Sequence, residues 1–183
     1  MIRYTIAETV EDLHGILALQ KANLSVNLTQ EEILKEGFVT AVHSFENLKK
    51  MNDLEQSIIA KNGDEVIAYL LAMTPECKND IAALISLFEN FEKLEWKGKL
   101  ISRYHYIVVG QVCVAKGYRG LGILDNCYYL YKERFKSKYD FAITDIDIKN
   151  QRSINAHKRI GFQEILRFTA ANQQEWSIVI WEW

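Results

Sequence analysis

Residues 116–125, Lys-Gly-Tyr-Arg-Gly-Leu-Gly-Ile-Leu-Asp, gather three glycines and an arginine at the point where a helical pattern begins. Leu124, Cys127, Tyr128, Tyr131 and Phe135 recur at helical spacing, which predicts a helix starting near residue 121. The amides of its first turn have no intrahelical partner. Most helices meet that need with Ser, Thr, Asp or Asn at the N-cap; here the region is Arg119-Gly120-Leu121-Gly122. Glycines remove the Cβ atoms that would hold a ligand away from those amides. A positive, uncapped helix end beside an arginine suits an anion, above all a phosphate. The same residues also make an ordinary strand-to-helix turn with water on its amides, and the glycines alone leave both open. A P-loop needs Gly-Lys-Ser/Thr at the end of its loop. A dinucleotide fingerprint needs G-x-G-x-x-G and an acidic residue at the end of the next strand; GYRGLG fits neither.

Other side chains with chemistry are more dispersed. In Thr144-Asp145-Ile146-Asp147-Ile148 the two aspartates share one strand face and the isoleucines the other, which by itself describes an exposed acidic edge. Tyr104, His105 and Tyr106 fall at a strand start, as core or as pocket residues. Cys77, Cys113 and Cys127 are an odd number without zinc spacing, so reduced thiols and no metal are expected, with Cys113 a small buried residue. The net charge of −2 carries no basic stripe for nucleic acid. No run approaches the ~18 apolar residues of a membrane span, and MIRYTIAETVED does not read as a secretory signal. A cytoplasmic protein is the expectation.

The elements that must position these residues alternate between strand and helix. IRYTIA reads as a strand. Thr9, with Asp12 three residues on, opens a helix with Leu13, Ile16, Leu17 and Leu24 on one face, Thr29-Gln-Glu-Glu32 is a capping box, and Ser44 starts a further short helix. QSIIAK and EVIAYLLAM, split by Asn62-Gly63-Asp64, predict a hairpin. Residues 78–92 follow a helical pattern, and the stretch around Trp96-Lys97-Gly98 has little pattern. YHYIVVGQVCV (104–114) is almost continuously apolar, hence a strand buried on both faces, with Gly110 marking a bulge or a close backbone approach. FAITDIDI, NQRSINAHKRI, FQEILRFT and EWSIVIWEW then predict strand, helix, strand, strand. Pro75 is the one proline and nothing resembles a linker, so a single domain over 1–183 is expected.

The segment Asn150-Gln-Arg-Ser-Ile-Asn-Ala-His-Lys-Arg-Ile-Gly-Phe162 completes a pattern. Asn150 is a good N-cap and Gly161-Phe162 a C-terminal glycine cap with its hydrophobic contact. Ser153, Ala156, His157 and Ile160 share a face, with Arg152, Asn155 and Arg159 away from it. Together with VCVAKGYRGLGI, this resembles the GNAT superfamily of N-acetyltransferases. That family carries an R/Q-x-x-G-x-G/A loop after its fourth strand, then Asn, a small residue three later, often Tyr seven later, and Gly-Phe. Arg119 to Leu124 fill the loop; Asn150, Ser153, His157, Gly161 and Phe162 fill the second motif at the same spacings. The resemblance covers roughly residues 104–165.

The resemblance implies a mixed α/β (α+β) fold, a mostly antiparallel mixed sheet flanked by helices, whose fourth and fifth strands splay apart to admit acetyl-CoA. The backbone of Val112, Cys113 and Val114 would pair with the pantetheine arm. The diphosphate would lie on the amides of Arg119, Gly120, Leu121, Gly122, Ile123 and Leu124, with Asn150 and Ser153 contacting the cofactor from the other side. Leu124 departs from the Gly or Ala usual at its place. His157 stands where many members have a tyrosine that protonates the leaving sulfur, and Asp145 matches a position where some relatives carry an acidic general base. The glutamate that some relatives use on the fourth strand is missing from YIVVG. No metal is implied.

The expected activity is therefore acetyl-CoA-dependent acetyl transfer to a primary amine of a small molecule or a protein N-terminus. The rival reading is a non-catalytic acyl-CoA-binding sensor on the same fold. Phe38, Phe45, Phe88, Phe91 and Trp96 are candidates for an acceptor pocket, and Glu31, Glu32 and Glu36 for holding a cationic acceptor. WSIVIWEW, apolar on both faces, fits either burial in its own sheet or contact with a second subunit.

Overall fold

The computed structural model describes residues 1–170 and 172–183, with the side chains of residues 82 and 83 outside the description. Strand β1 (Ile2–Ile6) leads into helix α1 (Val10–Asn23), which starts on the expected box: Asp12 N–H donates to Thr9 Oγ1 and Thr9 N–H to the Asp12 carboxylate. Thr29 and Glu32 repeat the device at α2 (Gln30–Glu36), and Ser44 caps α3 (Phe45–Leu54). The hairpin β2 (Ile58–Asn62) and β3 (Glu65–Met73) turns at Gly63, whose φ of 61° suits a residue without Cβ. Helix α4 (Ala82–Phe91) begins later than the pattern over 78–92 suggested. The weakly patterned stretch around Trp96 is a small hairpin, β4 (Glu95–Trp96) with β5 (Lys99–Leu100). Then follow β6 (Tyr106–Val114), α5 (Ile123–Phe135), β7 (Phe141–Asp147), α6 (Gln151–Ile160), β8 (Gln163–Thr169) and β9 (Glu175–Glu182).

Seven strands form one sheet in the order β1-β2-β3-β6-β7-β9-β8, antiparallel throughout except between β6 and β7. Because β4 and β5 form their own hairpin, β6 and β7 are the fourth and fifth strands of this sheet. Helices α1 and α3 cover one face of β3, and α5 covers the other. Two apolar clusters result, one beneath α1, α3 and α4 and one beneath α5 through Cys127, Tyr128, Tyr131 and Phe135. This is why β3 and the first half of β6 are apolar on both faces. Strand β9 lies between β7 and β8 with Ile178, Val179 and Ile180 buried, so its two-sided apolar character is used inside the sheet.

Candidate active-site cleft

The parallel ladder between β6 and β7 lasts for three pairs, from Tyr106 opposite Phe141 to Val108 opposite Ile143. The Thr144 hydroxyl then donates to the Val109 carbonyl at 2.8 Å, and beyond it the strands part. The cause lies on the other side of β6. Leu70 pairs with Val112 and Ala72 with Val109, so two residues, Gly110 and Gln111, bulge opposite Leu71. A Cβ at Gly110 would lie 3.2 Å from the Met51 methyl and 3.4 Å from Met73 Cβ, so glycine lets the bend pack closely against both methionines. Antiparallel pairs alternate between bonded and non-bonded. Ala115 N–H donates to Ile67 O, which puts the Cys113 backbone in the ladder to β3 and turns the backbone of Val112 and Val114 toward the open wedge. The expectation that all three residues offer their backbone is thus corrected for Cys113, whose thiol burial pushes up to about 12.

At the wide end of the wedge lies a cleft of about 530 Å³. Its wall includes Gly120, Gly122, Ile123 and Leu124 at the start of α5. Gly122 is a left-handed N-cap at φ 74° with no side-chain hydrogen bond. Among the described residues, no acceptor pairs with the amides from Gly120 to Asp125. A Cβ built at Gly120 or Gly122 meets nothing within 4 Å, so both glycines border open space, and their φ of 77° and 74° is what favours glycine there. Leu121 does not line the cleft and is 64% exposed, so its side chain contributes nothing there.

Arg119 corrects the idea of a guanidinium waiting for an anion. Its head group donates to Val114 O through Nε at 2.8 Å, to Glu36 through Nη1 at 2.7 Å and to Asn23 Oδ1 through Nη2 at 2.6 Å. Buried to 11% side-chain exposure, it is a clamp that fastens α1 and the end of α2 to β6. The opposite wall grips the same segment. Asn150 Nδ2 donates to Phe38 O at 2.8 Å and Arg152 to Lys35 O at 3.1 Å, while Asn150 Oδ1 caps α6 by accepting from Ser153 N–H. Residues 36–38 therefore form a strap across the wedge. The side chain of Asn150, expected on the cofactor, is instead engaged at both ends. Glu31, Glu32 and Glu36, expected as carboxylates for a cationic acceptor, are paired with Lys35, Lys116 and Arg119.

His157 is 2% exposed, yet lines both the cleft and a smaller cavity of about 70 Å³ beyond the strap. A carbonyl can only accept, so the 2.8 Å contact with Ser153 O fixes the proton on Nδ1. Nε2 then accepts from the Tyr128 hydroxyl at 2.7 Å. Burial pushes the imidazole down to about 4. It is neutral, in one tautomer, with neither nitrogen free; this geometry runs against the expected donation to a leaving sulfur.

Asp145 behaves otherwise. It lines the smaller cavity with Phe38, Leu84, Gln111 and Trp176, and burial raises its carboxyl to about 7. Among the described residues no side chain forms an ion pair with it. Asp147, its neighbour on the strand face, accepts from Lys149 N–H and Gln174 Nε2 and is buried, so the exposed acidic edge does not exist.

Of the aromatic candidates, Phe38 reaches the cavity, Phe88 and Phe91 are core, and Phe45 stacks on His14. Arg152, Asn155 and Arg159, placed away from the site by helical spacing, line the cleft. Gln111 was missed: its Nε2 donates to Ala41 O and its Oε1 accepts from Tyr69, holding the bulge against the loop after the strap. A lone amide inside a two-sided apolar strand was the available signal. Among the described residues no group of His, Cys, Asp and Glu forms a metal site, and no helix is long and apolar enough to cross a membrane.

The model of the Acetyltransferase (GNAT) family matches residues 27–162. No curated protein matches the sequence. Among solved structures, Arabidopsis thaliana NAA60 in complex with acetyl-CoA is similar at 14% identity and a TM-score of 0.65, covering 100% of this chain and 99% of that one. The NatC complex bound to Gag peptide and CoA gives 13% and 0.66, with 100% and 98% covered. The ribosomal-protein-S18-alanine N-acetyltransferase from Escherichia coli gives 9% and 0.57, with 98% and 92% covered.

Proposed function

This chain belongs to the acetyltransferase (GNAT) family, and on that premise we propose that it is a single-domain, acetyl-CoA-dependent N-acetyltransferase acting on a primary amine. The observation that carries the reading is the course of the wedge. It runs from unclaimed amides at Gly120–Asp125, past the backbone of Val112 and the N–H of Val114, to the raised carboxyl of Asp145. Solved structures of the same fold that hold acetyl-CoA, or a peptide with CoA, support the donor and make a peptide N-terminus one acceptor class.

Acetyl-CoA would supply the acetyl group already activated as a thioester. The first-turn amides of α5 hold its diphosphate, as helix N-termini do for phosphates. Val112 N–H and C=O and Val114 N–H bind the pantetheine amides as a further strand would, Val114 O being occupied by Arg119. An alkyl ammonium has a pKa near 10 and must lose a proton before its nitrogen attacks. Asp145, poised near 7, accepts that proton directly or through one water as the C–N bond forms and the C–S bond breaks. The departing thiolate, with an intrinsic pKa of roughly 8.5 like cysteine, takes a proton from Asp145 or from water and needs no strong acid. His157 positions rather than donates: it ties Ser153 to Tyr128 and fixes the cavity floor.

The test is free-thiol release from acetyl-CoA across a panel of small amines and peptides, with the product identified by mass. Amine-dependent release with an N-acetylated product is expected. Tight acetyl-CoA binding with no release across the panel would move the protein to the sensor role; absence of both would end the reading.

A further inference from the structure

The small cavity beyond the strap is selective in both charge and size. Its apolar walls come from three separate elements: Phe38 on the strap, Leu84 in the first turn of α4 and Trp176 on β9. Most polar side chains facing it are already engaged. Gln111 is held by Ala41 O and Tyr69, the Thr144 hydroxyl by Val109 O, Asp147 by Lys149 N–H and Gln174, and His157 at both nitrogens. The Asp145 carboxylate accepts from no other residue among those described, and the described lining contains no lysine or arginine. The cavity therefore offers one free carboxylate and no cation. At about 70 Å³ it has room for roughly five water-sized groups, at ~10–15 Å³ for each. An acetyl group brings three non-hydrogen atoms, and the attacking nitrogen with its carbon brings two more. Little space is left for substituents on that carbon.

We infer that the acceptor is a slim amine with no anion beside it: a primary amine on a carbon bearing nothing larger than a methyl or hydroxymethyl group, any neighbouring carboxyl group being masked as an amide. The inference rests on the acetyltransferase reading above and names the substrate class of that site. A free amino acid carries its carboxylate on the same carbon as the amine. That anion would enter beside Asp145 and find no cation; an unpaired charge in such a place is costly, and a like charge next to it adds to the cost. In a peptide the same carbon carries a neutral amide, and the penalty disappears. The size limit comes from the walls. Leu84 is buried, and Trp176 is held in the sheet opposite Asp147 and Phe168, so neither withdraws freely. Two sources share this chemistry, a peptide N-terminus that starts with Gly, Ala or Ser and the unbranched side-chain amine of lysine.

The experiment measures kcat/KM of the full chain with matched amines, each rate referred to the unprotonated fraction of its amine. Alaninamide is compared with alanine, and amidated, lysine-free peptides differing only in a first residue of Ala, Val or Phe are compared with one another. A peptide with a blocked N-terminus and one lysine separates the sources: its acetylation assigns the lysine amine, and acetylation of the Ala peptide alone assigns the N-terminus. Alaninamide should exceed alanine by about 100-fold or more. The Ala peptide should exceed the Val peptide by about 10- to 200-fold, as for small apolar differences in a closed pocket. Leu84→Ala should narrow that second gap, with thermal unfolding as the check on folding. Thr40→Lys, at an exposed position on the lining, should raise the rate with free alanine about tenfold by supplying the missing cation. The wild-type comparisons need no variant. Equal use of alanine and alaninamide overturns the inference, and so does a Phe peptide turned over as well as the Ala peptide. If acetyl-CoA binds and no amine in the panel is acetylated, the acetyltransferase reading falls and takes this one with it; a reversed preference among amines that are acetylated strikes the inference alone.

Discussion

The Asn150 side-chain amide donates to the Phe38 carbonyl at 2.8 Å while its oxygen accepts from Ser153 N–H, so one residue caps α6 and ties down the strap over the wedge. Gly37 lies under this contact at φ 73°, and a Cβ there would approach Asn150 Oδ1 to 2.9 Å. A neighbour with a side chain would push the amide out of its cap. The strap and the cap are therefore one device, and on the proposed reading the donor arm would pass beneath it to reach Asp145.

Separating the two functions of Asn150 tests this. Asn150→Ala loses both and is expected to lower stability by about 1–2 kcal/mol. Asn150→Asp keeps a capping oxygen but cannot donate to Phe38. It should retain most of the stability while raising the KM for acetyl-CoA, and Gly37→Ala should share the KM effect. Urea unfolding paired with steady-state kinetics decides; an Asp variant with unchanged KM would show that the strap does not bear on the donor.

Arg119 gives a second contrast. A guanidinium that touched phosphate would, when removed, weaken binding without unfolding the protein. The clamp on Asn23, Glu36 and Val114 O predicts otherwise: Arg119→Gln should cost about 2 kcal/mol of stability and weaken coenzyme binding at the same time. Glu36→Gln should reproduce part of both effects although it sits on a different element. Unfolding curves and calorimetry on the two variants check it.

What the sequence made legible was local. The boxes at Thr9–Asp12 and Thr29–Glu32, the Gly63 turn, the Gly110 bulge and the uncapped start of α5 each depend on a few consecutive residues. The errors lie in partnerships between distant positions. Arg119 meets Glu36 across 83 residues, and Asn150 meets Phe38 across 112. Asp145 looked exposed because its neighbours in the cavity, Phe38, Leu84 and Trp176, come from three separate parts of the chain. His157 sat at the right place in a motif, but only Tyr128 on another helix reveals that its Nε2 is occupied.

That occupied imidazole has a pH signature in stability rather than rate. Its folded pKa is depressed to about 4 from 6.5, so the unfolded chain binds the extra proton between those values. The stabilisation is complete above pH 6.5 and is lost as pH falls toward 4. His43, also buried and depressed to about 4, adds in the same direction. His157→Phe should flatten this part of the stability–pH curve, and lower overall stability by about 1–3 kcal/mol because Tyr128 loses its acceptor. The pH dependence of acetyl transfer should keep its shape. A changed limb in the rate profile would restore His157 as the proton donor.

Asp145 carries the opposite sign. Its carboxyl is raised to about 7, so the folded protein holds a proton that the unfolded chain has released between roughly pH 4 and pH 7. Its contribution is intact below pH 4 and is lost as pH rises through 7, where a charge must be kept in the cavity. Asp145→Asn removes that cost and should make the protein more stable at pH 8, by about 1–3 kcal/mol. The same substitution removes the proposed proton acceptor. Transfer to an amine should fall by about 10²–10⁴-fold, and the rise in rate near pH 7 should disappear. A merely structural aspartate would show the gain in stability and leave that limb of the rate profile in place. Rate profiles from pH 5 to 9, measured beside urea unfolding at pH 8, therefore distinguish a base at this position from a half-buried carboxyl with no part in the reaction.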